Sequence, residues 1–236
     1  MKYISLPDDS QRRLVFYLAM EEYVAAKFRE GFFLWQVPPT VIFGRNQDIE
    51  TEVNLEYCRD KGIFFFRRKS GGGCVYSDYG NVMISYIVPE TGVESVFREY
   101  LDKLVGALVE MGMPAVSSSH NDVMVGDRKV SGNAFFVHPD ASIVHGTLLY
   151  DADFEELSRA ITPTREKLES HGVKSVRQRV ANLRDLGLDL DCGTLKARLK
   201  ASFTDSEMVL DAEDIRAIEE IEKEYLDPSF IFGKVR

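Results

Sequence analysis

Two short segments of the chain carry residue types that suit the binding of an anionic ligand. In the first, Arg67-Arg68-Lys69-Ser70 leads into Gly71-Gly72-Gly73 and then Cys74-Val75-Tyr76. Glycine permits positive φ and lets a ligand approach the backbone closely. Successive N–H groups can form an anion-binding nest, and arginine binds phosphate or carboxylate through two parallel hydrogen bonds. The segment predicts a loop that binds phosphate or carboxylate, although a solvated surface loop has a similar composition.

This glycine loop differs from the common nucleotide-binding motifs. No Gly-Lys-Ser/Thr follows it, and Tyr76 occupies the position where a dinucleotide-binding fingerprint needs glycine. Apolar residues, Ile63–Phe66 before it and Val75 after it, indicate that it connects two strands. A ligand site between two strands, of another architecture than the Walker loop, is the interpretation that we favour.

The second segment places a lysine on a predicted hairpin. Gly126-Asp127 predicts a tight turn, after which Lys129 and Ser131 are expected to share one strand face and Val130 the other. The small Gly132 leaves room for a ligand beside that face. A lysine ammonium is a compact charge that can hold a carboxylate and a phosphate together, and it would stabilise charge developing on an α-phosphate. The alternative is a lysine that extends into solvent from a strand edge.

Asp122, just before this hairpin, has two possible roles. It could ligate Mg²⁺, which is usually bound through one or two carboxylates together with phosphates, or it could cap the turn. A zinc site is not expected, because the four histidines show no HExxH spacing and the three cysteines form no CxxC pair.

The elements that position these residues predict the fold class. Helices are expected at 10–29, 54–61, 95–111, 153–160, 194–203 and 211–225. Strands are expected at 32–37, 41–43, 63–66, 81–88, 122–126, 128–136 and 142–150. Few strands alternate regularly with helices, so the pattern predicts an α/β (α+β) domain with a mixed, largely antiparallel sheet flanked by helices.

Composition excludes several classes of protein. The 236 residues carry a formal net charge of −9, which argues against a nucleic-acid partner because such contacts depend on phosphate neutralisation. No apolar stretch approaches the roughly 20 residues of a membrane-spanning helix, and the first residues lack the apolar run of a secretory signal. We expect a cytoplasmic protein with no membrane partner.

Five blocks in order along the chain resemble the lipoate–protein ligase family, within the biotin and lipoate ligase superfamily. The blocks are Val41–Gln47, Arg67–Asn81, Asn121–Gly132, His145–Leu149 and Ser175–Leu183. The resemblance implies a catalytic domain of the biotin/lipoate ligase type. It also implies that residues 1–236 form this single domain, without the small accessory C-terminal domain that many members carry.

The resemblance implies a two-step reaction. Lipoate and ATP, with Mg²⁺, would give lipoyl-AMP and pyrophosphate, and the lipoyl group would then pass to a lysine of a lipoyl domain. Lys129 would be the catalytic residue, bridging the lipoyl carbonyl and the phosphate. By family position the nucleotide would contact Arg68, Gly73, Cys74, Val75, Tyr76, Asp122 and Lys129. The lipoyl group would contact Ser70, Gly71, Gly72, Lys129, Ser131, Gly132, His145 and Gly146.

The implied partners are lipoyl-domain proteins, namely the E2 subunits of 2-oxoacid dehydrogenases and the glycine cleavage H protein. Three departures from the family pattern matter. Ser77 precedes Asp78 where members commonly have histidine, and Cys74 replaces a usual alanine, as a packing residue or a reactive thiol. The chain also stops after Asp227–Lys234, which resembles the end of the catalytic domain. A separate accessory chain could therefore complete adenylation.

An octanoyl- or lipoyltransferase acting without ATP is the alternative enzyme. Such an enzyme passes the acyl chain through a cysteine thioester, which requires an activated thiol beside the acyl pocket. The segment 115–120 has no cysteine where that enzyme would carry one, and only Cys74 is expected near the pocket. Arg177 and Arg179 are expected either to stabilise the fold or to support a loop near the pocket.

Overall fold

The computed structural model describes residues 1–118, 121–161 and 179–233. Its strands are β1 (Lys2–Ser5), β2 (Gly31–Trp35), β3 (Thr40–Phe43), β4 (Phe64–Arg67), β5 (Val75–Ser77), β6 (Asn81–Val88), β7 (Ala115–Ser117), β8 (Asp122–Val125), β9 (Arg128–Val137), β10 (Ser142–Leu149) and β11 (Ser206–Val209). Its helices are α1 (Leu14–Lys27), α2 (Ile49–Glu52), α3 (Leu55–Lys61), α4 (Val93–Glu110), α5 (Phe154–Ala160), α6 (Cys192–Phe203), α7 (Ala212–Leu226) and α8 (Pro228–Phe232).

Eight of the described strands form one sheet in the order β11-β1-β2-β6-β10-β9-β8-β7. The pairs β11–β1 and β1–β2 are parallel, and the other neighbours in this sheet are antiparallel. A smaller sheet, β4-β3-β5, carries the glycine loop between β4 and β5. The mixed, mostly antiparallel sheet flanked by helices is the predicted fold class.

The large sheet separates two hydrophobic cores. Strand β6 forms at Asn81–Val88, where a strand was predicted. It is buried along its whole length, and its side chains alternate between the two cores. Met83 and Ile87 face the core formed with α1, α7 and the small sheet. Val82 and Ile84 face the core formed with α4 and α6. The candidate site lies on the first of these faces.

Local signals account for several element boundaries. Asn54 caps the start of α3 and Gly62, at φ 67°, ends it in the left-handed conformation, as its sequence predicts. Asp153 is the N-cap of α5, and its side chain accepts hydrogen bonds from the backbone N–H groups of Glu155 and Glu156. The strand expected at 63–66 forms as β4, and its apolar run suggested burial; that interpretation is wrong for Phe64, which is 50% exposed because β4 lies at the edge of the small sheet.

Some predictions fall outside the described part of the chain. Arg177, His120 and His171 lie there, as do the first residues of the block 175–183 and Lys234. Among the residues that the structure does describe, no helix has both the length and the hydropathy needed to cross a membrane.

Candidate active site

Two adjoining cavities open on the face of the large sheet that carries the glycine loop. Their volumes are about 410 Å³ and about 370 Å³. The wall between them is shared by Cys74, Val75, Asp122, Lys129, Gly132 and Thr147. Lys129 on β9 and Gly72-Gly73 of the loop therefore border one continuous space.

The Lys129 side chain lies flat along its own strand. Its Nζ is 2.8 Å from Asp122 Oδ1, and a β-carbon at Gly132 would lie 2.8 Å from both Cε and Nζ of the lysine. Only glycine at position 132 leaves this space. The Lys129 carbonyl accepts a hydrogen bond from Ala181 N at 3.0 Å, which fixes the backbone beneath. An ammonium has three donors, so an ion pair with Asp122 leaves capacity for a ligand.

A β-bulge changes the faces predicted for this strand. Met124 pairs with Lys129 but Val123 pairs with Ser131, so Val130 is the extra residue of the bulge. Ser131 is consequently buried opposite Val123 and Leu148, both members of the α4–α6 core. The expectation that Lys129 and Ser131 share a face is wrong, because the extra residue breaks the two-residue alternation.

Arg68 lies beneath the glycine loop and holds its carbonyl groups. Its guanidinium donates to Gly71 O and Gly73 O at 2.7 Å, to Ile42 O at 3.2 Å and to Ser70 Oγ at 3.0 Å. Burial lowers the pKa of Arg68 to about 10. In this conformation the side chain shapes the loop, and a nucleotide contact by Arg68 stays a prediction. Gly72 adopts φ 88°, a conformation that favours glycine.

The other two cations that precede the loop also bind protein groups. Arg67 is 2% exposed and donates to the carbonyls of Arg45, Gln47, Phe230, Ile231 and Gly233. Lys69 pairs with Glu22 and Glu224 at 2.9 and 2.8 Å. Arginines in this segment were expected to bind phosphate or carboxylate, whereas Arg67 holds α8, and Lys69 holds α7, against the start of the loop.

A buried polar network that the sequence analysis missed borders the second cavity. His145 Nδ1 is 2.8 Å from Glu21 Oε2, and His145 Nε2 is 2.6 Å from Ser70 Oγ. Glu21 also accepts a hydrogen bond from Ser85 Oγ at 2.5 Å, and Ser85 accepts one from Trp35 Nε1 at 2.9 Å. The members lie far apart in sequence, so spacing could not reveal them. The signal available in the sequence was an acidic residue, Glu21, directly after the apolar run Leu14–Met20 of α1.

Most predicted site residues border the cavities, and three do not. The bordering ones are Arg68, Gly72, Gly73, Cys74, Val75, Tyr76, Asp122, Lys129, Gly132, His145 and Gly146. Ser70, Gly71 and Ser131 are not in either wall. Ser70 is buried beneath the loop, and the Gly71 carbonyl turns toward Arg68. Arg179 borders the larger cavity, and its role in the fold or in a loop near the pocket stays a prediction.

The site offers little for a permanently bound metal ion. Within the described ranges no three His, Cys, Asp or Glu side chains come together as a ligand set. Asp122 supplies one carboxylate and is already paired with Lys129. One carboxylate is compatible with a Mg²⁺ ion held mainly by the phosphates of a nucleotide.

Sequence comparison identifies the chain at the level of its family. A profile of the lipoyl protein ligase A/B catalytic domain matches residues 14–204. The chain belongs to this family. The probable lipoate-protein ligase A of Mycoplasma pneumoniae is 33% identical to this lipoyl ligase domain over 231 residues, which are 93% of this chain and 68% of that protein. Three further curated relatives are 37–39% identical to the matched part of this chain. The chain spans only 51–53% of the length of each of them.

Solved structures share the fold of this lipoyl ligase domain. One comes from a structural analysis of an archaeal lipoylation system, a bipartite lipoate protein ligase and its E2 lipoyl domain from Thermoplasma acidophilum. It has a TM-score of 0.87 and 25% identity, covering 100% of this chain and 97% of that one. A T. acidophilum protein with bound lipoic acid (TM-score 0.85, 24% identity, 100% of both chains) and a lipoate-protein ligase A bound with ATP (0.84, 24%, 99% of both) have the same fold.

Proposed function

We propose that this protein is a lipoate–protein ligase that activates lipoate with ATP and transfers the lipoyl group to a lysine of a lipoyl domain. The observation that carries the proposal is the joined pair of cavities with Lys129 and Gly132 in the shared wall. An acyl-adenylate has an apolar and a nucleotide half with a mixed anhydride between them. Two cavities that meet at a lysine suit such a molecule.

The smaller cavity is the candidate acyl site. Leu18, Trp35, Ile42 and Met83 contribute apolar wall, and the glycine loop contributes backbone. The larger cavity is the candidate nucleotide site, bordered by Tyr76, Asp127 and Arg179 among others. Structures of the same fold have been solved with lipoic acid and with ATP, which supports assigning one small molecule to each cavity.

Lys129 would act at the junction in both steps. In the first, a lipoate carboxylate oxygen attacks the α-phosphorus of ATP and pyrophosphate leaves. In the second, the ε-amine of the acceptor lysine attacks the acyl carbonyl, an amide forms and AMP leaves. Negative charge develops on the phosphate or on the carbonyl oxygen, and an ammonium already in place stabilises it. A Mg²⁺ ion would be held by ATP phosphates with Asp122 as its protein ligand, and it would offset phosphate charge.

The proposed partners are the lipoyl domains of E2 subunits and the glycine cleavage H protein. An accessory chain is a further proposed partner for the adenylation step. The observation that supports it is that a bipartite ligase has the same fold along the whole of this chain.

The test is a ligation assay followed by mass spectrometry of the acceptor. The protein is incubated with lipoate, MgATP and an apo lipoyl domain, with and without a candidate accessory domain, and in parallel with lipoyl-AMP in place of lipoate and ATP. We expect the acceptor to gain one lipoyl group. Transfer from lipoyl-AMP alone would assign adenylation to a partner, and no lipoylation in any arm would refute the proposal.

An ATP-independent acyltransferase is the second candidate, because Cys74 borders both cavities. That enzyme would accept an acyl chain from a carrier-protein thioester onto the Cys74 thiol. Acyl transfer from octanoyl carrier protein without ATP, lost in Cys74→Ser, would favour it over the ligase.

A further inference from the structure

A hydrogen-bonded chain connects helix α1 with the glycine loop. It runs from Glu21 to His145 (2.8 Å), from His145 to Ser70 (2.6 Å) and from Ser70 to Arg68 (3.0 Å). Arg68 then donates to the carbonyls of Gly71 and Gly73. Glu21, Ser70 and Arg68 are 2%, 2% and 5% exposed, so water competes little for these bonds. The chain begins at a buried carboxylate and ends on the loop that borders both cavities.

The directions of the first and last hydrogen bonds follow from the charged groups at the two ends of the chain. A guanidinium can only donate and a carboxylate can only accept. Arg68 Nε–H therefore donates to Ser70 Oγ, and His145 Nδ1–H donates to Glu21. With the imidazole proton on Nδ1, the serine hydroxyl can donate to His145 Nε2, and every group of the chain then has a partner. In a low-dielectric interior such bonds polarise one another, so a change at one end affects the other.

Two members of the chain, His145 and Arg68, border the smaller cavity, whereas Glu21 and Ser70 are not in its wall. A chain of serine, histidine and acid is also the connectivity of a nucleophilic triad, but here the serine oxygen is enclosed and receives a hydrogen bond from Arg68. The Ser70 hydroxyl is therefore suited to holding its neighbours Arg68 and His145 in position, and not to attack on an acyl group.

We infer that Glu21 is a positioning residue that couples the acyl cavity to the nucleotide cavity through His145, Ser70 and Arg68. The inference rests on the proposed function in assigning the smaller cavity to the acyl chain. A ligand packed against His145 restrains the imidazole, the restrained imidazole holds Ser70 and Arg68, and Arg68 holds the Gly71 and Gly73 carbonyls. The loop is then ordered before the nucleotide binds, so each ligand strengthens the binding of the other.

Glu21→Gln tests the inference because it removes the charge and keeps the shape. The glutamine NH₂ can donate to His145 Nδ1, which moves the imidazole proton to Nε2; His145 then donates to Ser70 Oγ, and the serine hydroxyl hydrogen loses its acceptor. The matched control is Glu222→Gln on α7, another buried carboxylate, which pairs with Arg13 and borders neither cavity. Ser70→Ala interrupts the same chain at a second point without changing charge.

The measurement is the affinity for α,β-methylene-ATP, which cannot be cleaved at the α-phosphate, by calorimetry with and without saturating lipoate. We expect lipoate to tighten nucleotide binding in the wild type by about 5-fold or more, at the lower end of ordinary coupling between sites. The ratio of the nucleotide affinity with lipoate to the nucleotide affinity without it should fall to within about twofold of one in Glu21→Gln and Ser70→Ala. Glu222→Gln should keep the wild-type ratio.

Retention of the wild-type ratio in Glu21→Gln overturns the inference, as does a wild type without coupling. If Glu21→Gln does not fold, Ser70→Ala decides in the same way. Failure of both variants to fold would assign the chain to stability alone and also overturn it. The proposed function is judged separately: a wild type that couples the two ligands without lipoylating a domain refutes the ligase, and one that lipoylates without coupling refutes only the positioning role.

Discussion

The Lys129 ammonium lies 2.8 Å from a carboxylate oxygen of Asp122, on the strand next to its own. Asp122 pairs across the ladder with Gly132, the residue over which the lysine side chain lies. The charge is therefore held at the junction of the two cavities before a ligand arrives. A charge that is already in position lowers the activation barrier of the reaction, because the active-site groups do not have to reorganise as the transition state forms.

Lys129→Ala should abolish most lipoyl transfer. Loss of one preorganised donor typically lowers kcat by about 10²–10³, and we expect a loss of that size, measured by mass spectrometry of the lipoyl domain. Lys129 is partly exposed, so the melting temperature should change little. Transfer within about threefold of wild type would remove the catalytic assignment.

Gly132→Ala should reduce activity without unfolding the protein. The new β-carbon would lie 2.8 Å from the end of the Lys129 side chain, a flexible group that can move away. We expect a displaced lysine, a fall in transfer rate of at least ~10-fold and a stability change below ~1 kcal/mol. The matched control is Gly106→Ala in α4, where nothing lies within 4 Å of the added carbon. That variant should be more stable by about 0.5–1 kcal/mol and fully active.

Cys74→Ser should leave ATP-dependent lipoylation intact, because the proposed ligase uses no thioester. Cys74 borders both cavities, so its alkylation by iodoacetamide should be slowed by bound lipoyl-AMP. Rates of alkylation with and without the adenylate measure this. A complete loss of lipoylation in the serine variant would contradict the ligase mechanism in favour of acyl transfer through the thiol.

Cys58 should resist alkylation in the folded protein. Burial in α3 raises the pKa of its thiol to about 11, so the group is protonated at pH 8, and the thiolate is the reactive form. Labelling followed by peptide mass spectrometry should find Cys58 unmodified until the protein is unfolded by denaturant. Modification of Cys58 as fast as that of Cys74 under native conditions would contradict the burial of the Cys58 thiol.

Arg67→Ala should destabilise the fold markedly. The guanidinium binds carbonyl groups of the segment after β3 and of the C-terminal end of α8, and its removal takes this donor away from them. We expect a loss of about 3 kcal/mol or more, which lowers Tm by about 6 °C or more in a chain of this size. The exposed Arg216→Ala in α7 is the control and should lie within about 0.5 kcal/mol of wild type. Equal melting temperatures for the two variants would contradict this role.

Sequence patterns predicted the elements whose signals are local. The strands at Asn81–Val88 and Ser142–Leu149 and the helix closed by Gly62 follow from apolar runs and turn residues within a few positions. The parallel pairing of β1 with β11 was missed, because it joins Lys2 to Ser206 and no local pattern reports so distant a partner. The bulge at Val130 was missed for a related reason, since it depends on the register with β8.

In the candidate site, too, the local sequence predicted some features and not those that depend on contacts between distant residues. Glycines and a lysine flanked by small residues suggested a ligand site from their types alone, and the structure brings Gly72, Gly73 and Lys129 to one space. Residue types do not reveal what each polar group binds. The sequence did not show that Arg68 holds the loop carbonyls, and Glu21 was not selected at all, because both contacts depend on burial in the folded chain.

The Arg67 contacts have a practical consequence for handling the protein. The guanidinium joins the carbonyls at positions 230–233 to the strand that leads into the glycine loop, and Arg67 is the immediate neighbour of Arg68. A tag or surface tether attached just after residue 233 would pull on the loop almost directly. Fusions at that end should carry a long flexible spacer, and single-molecule stretching from that end should disturb the loop before the eight-stranded sheet.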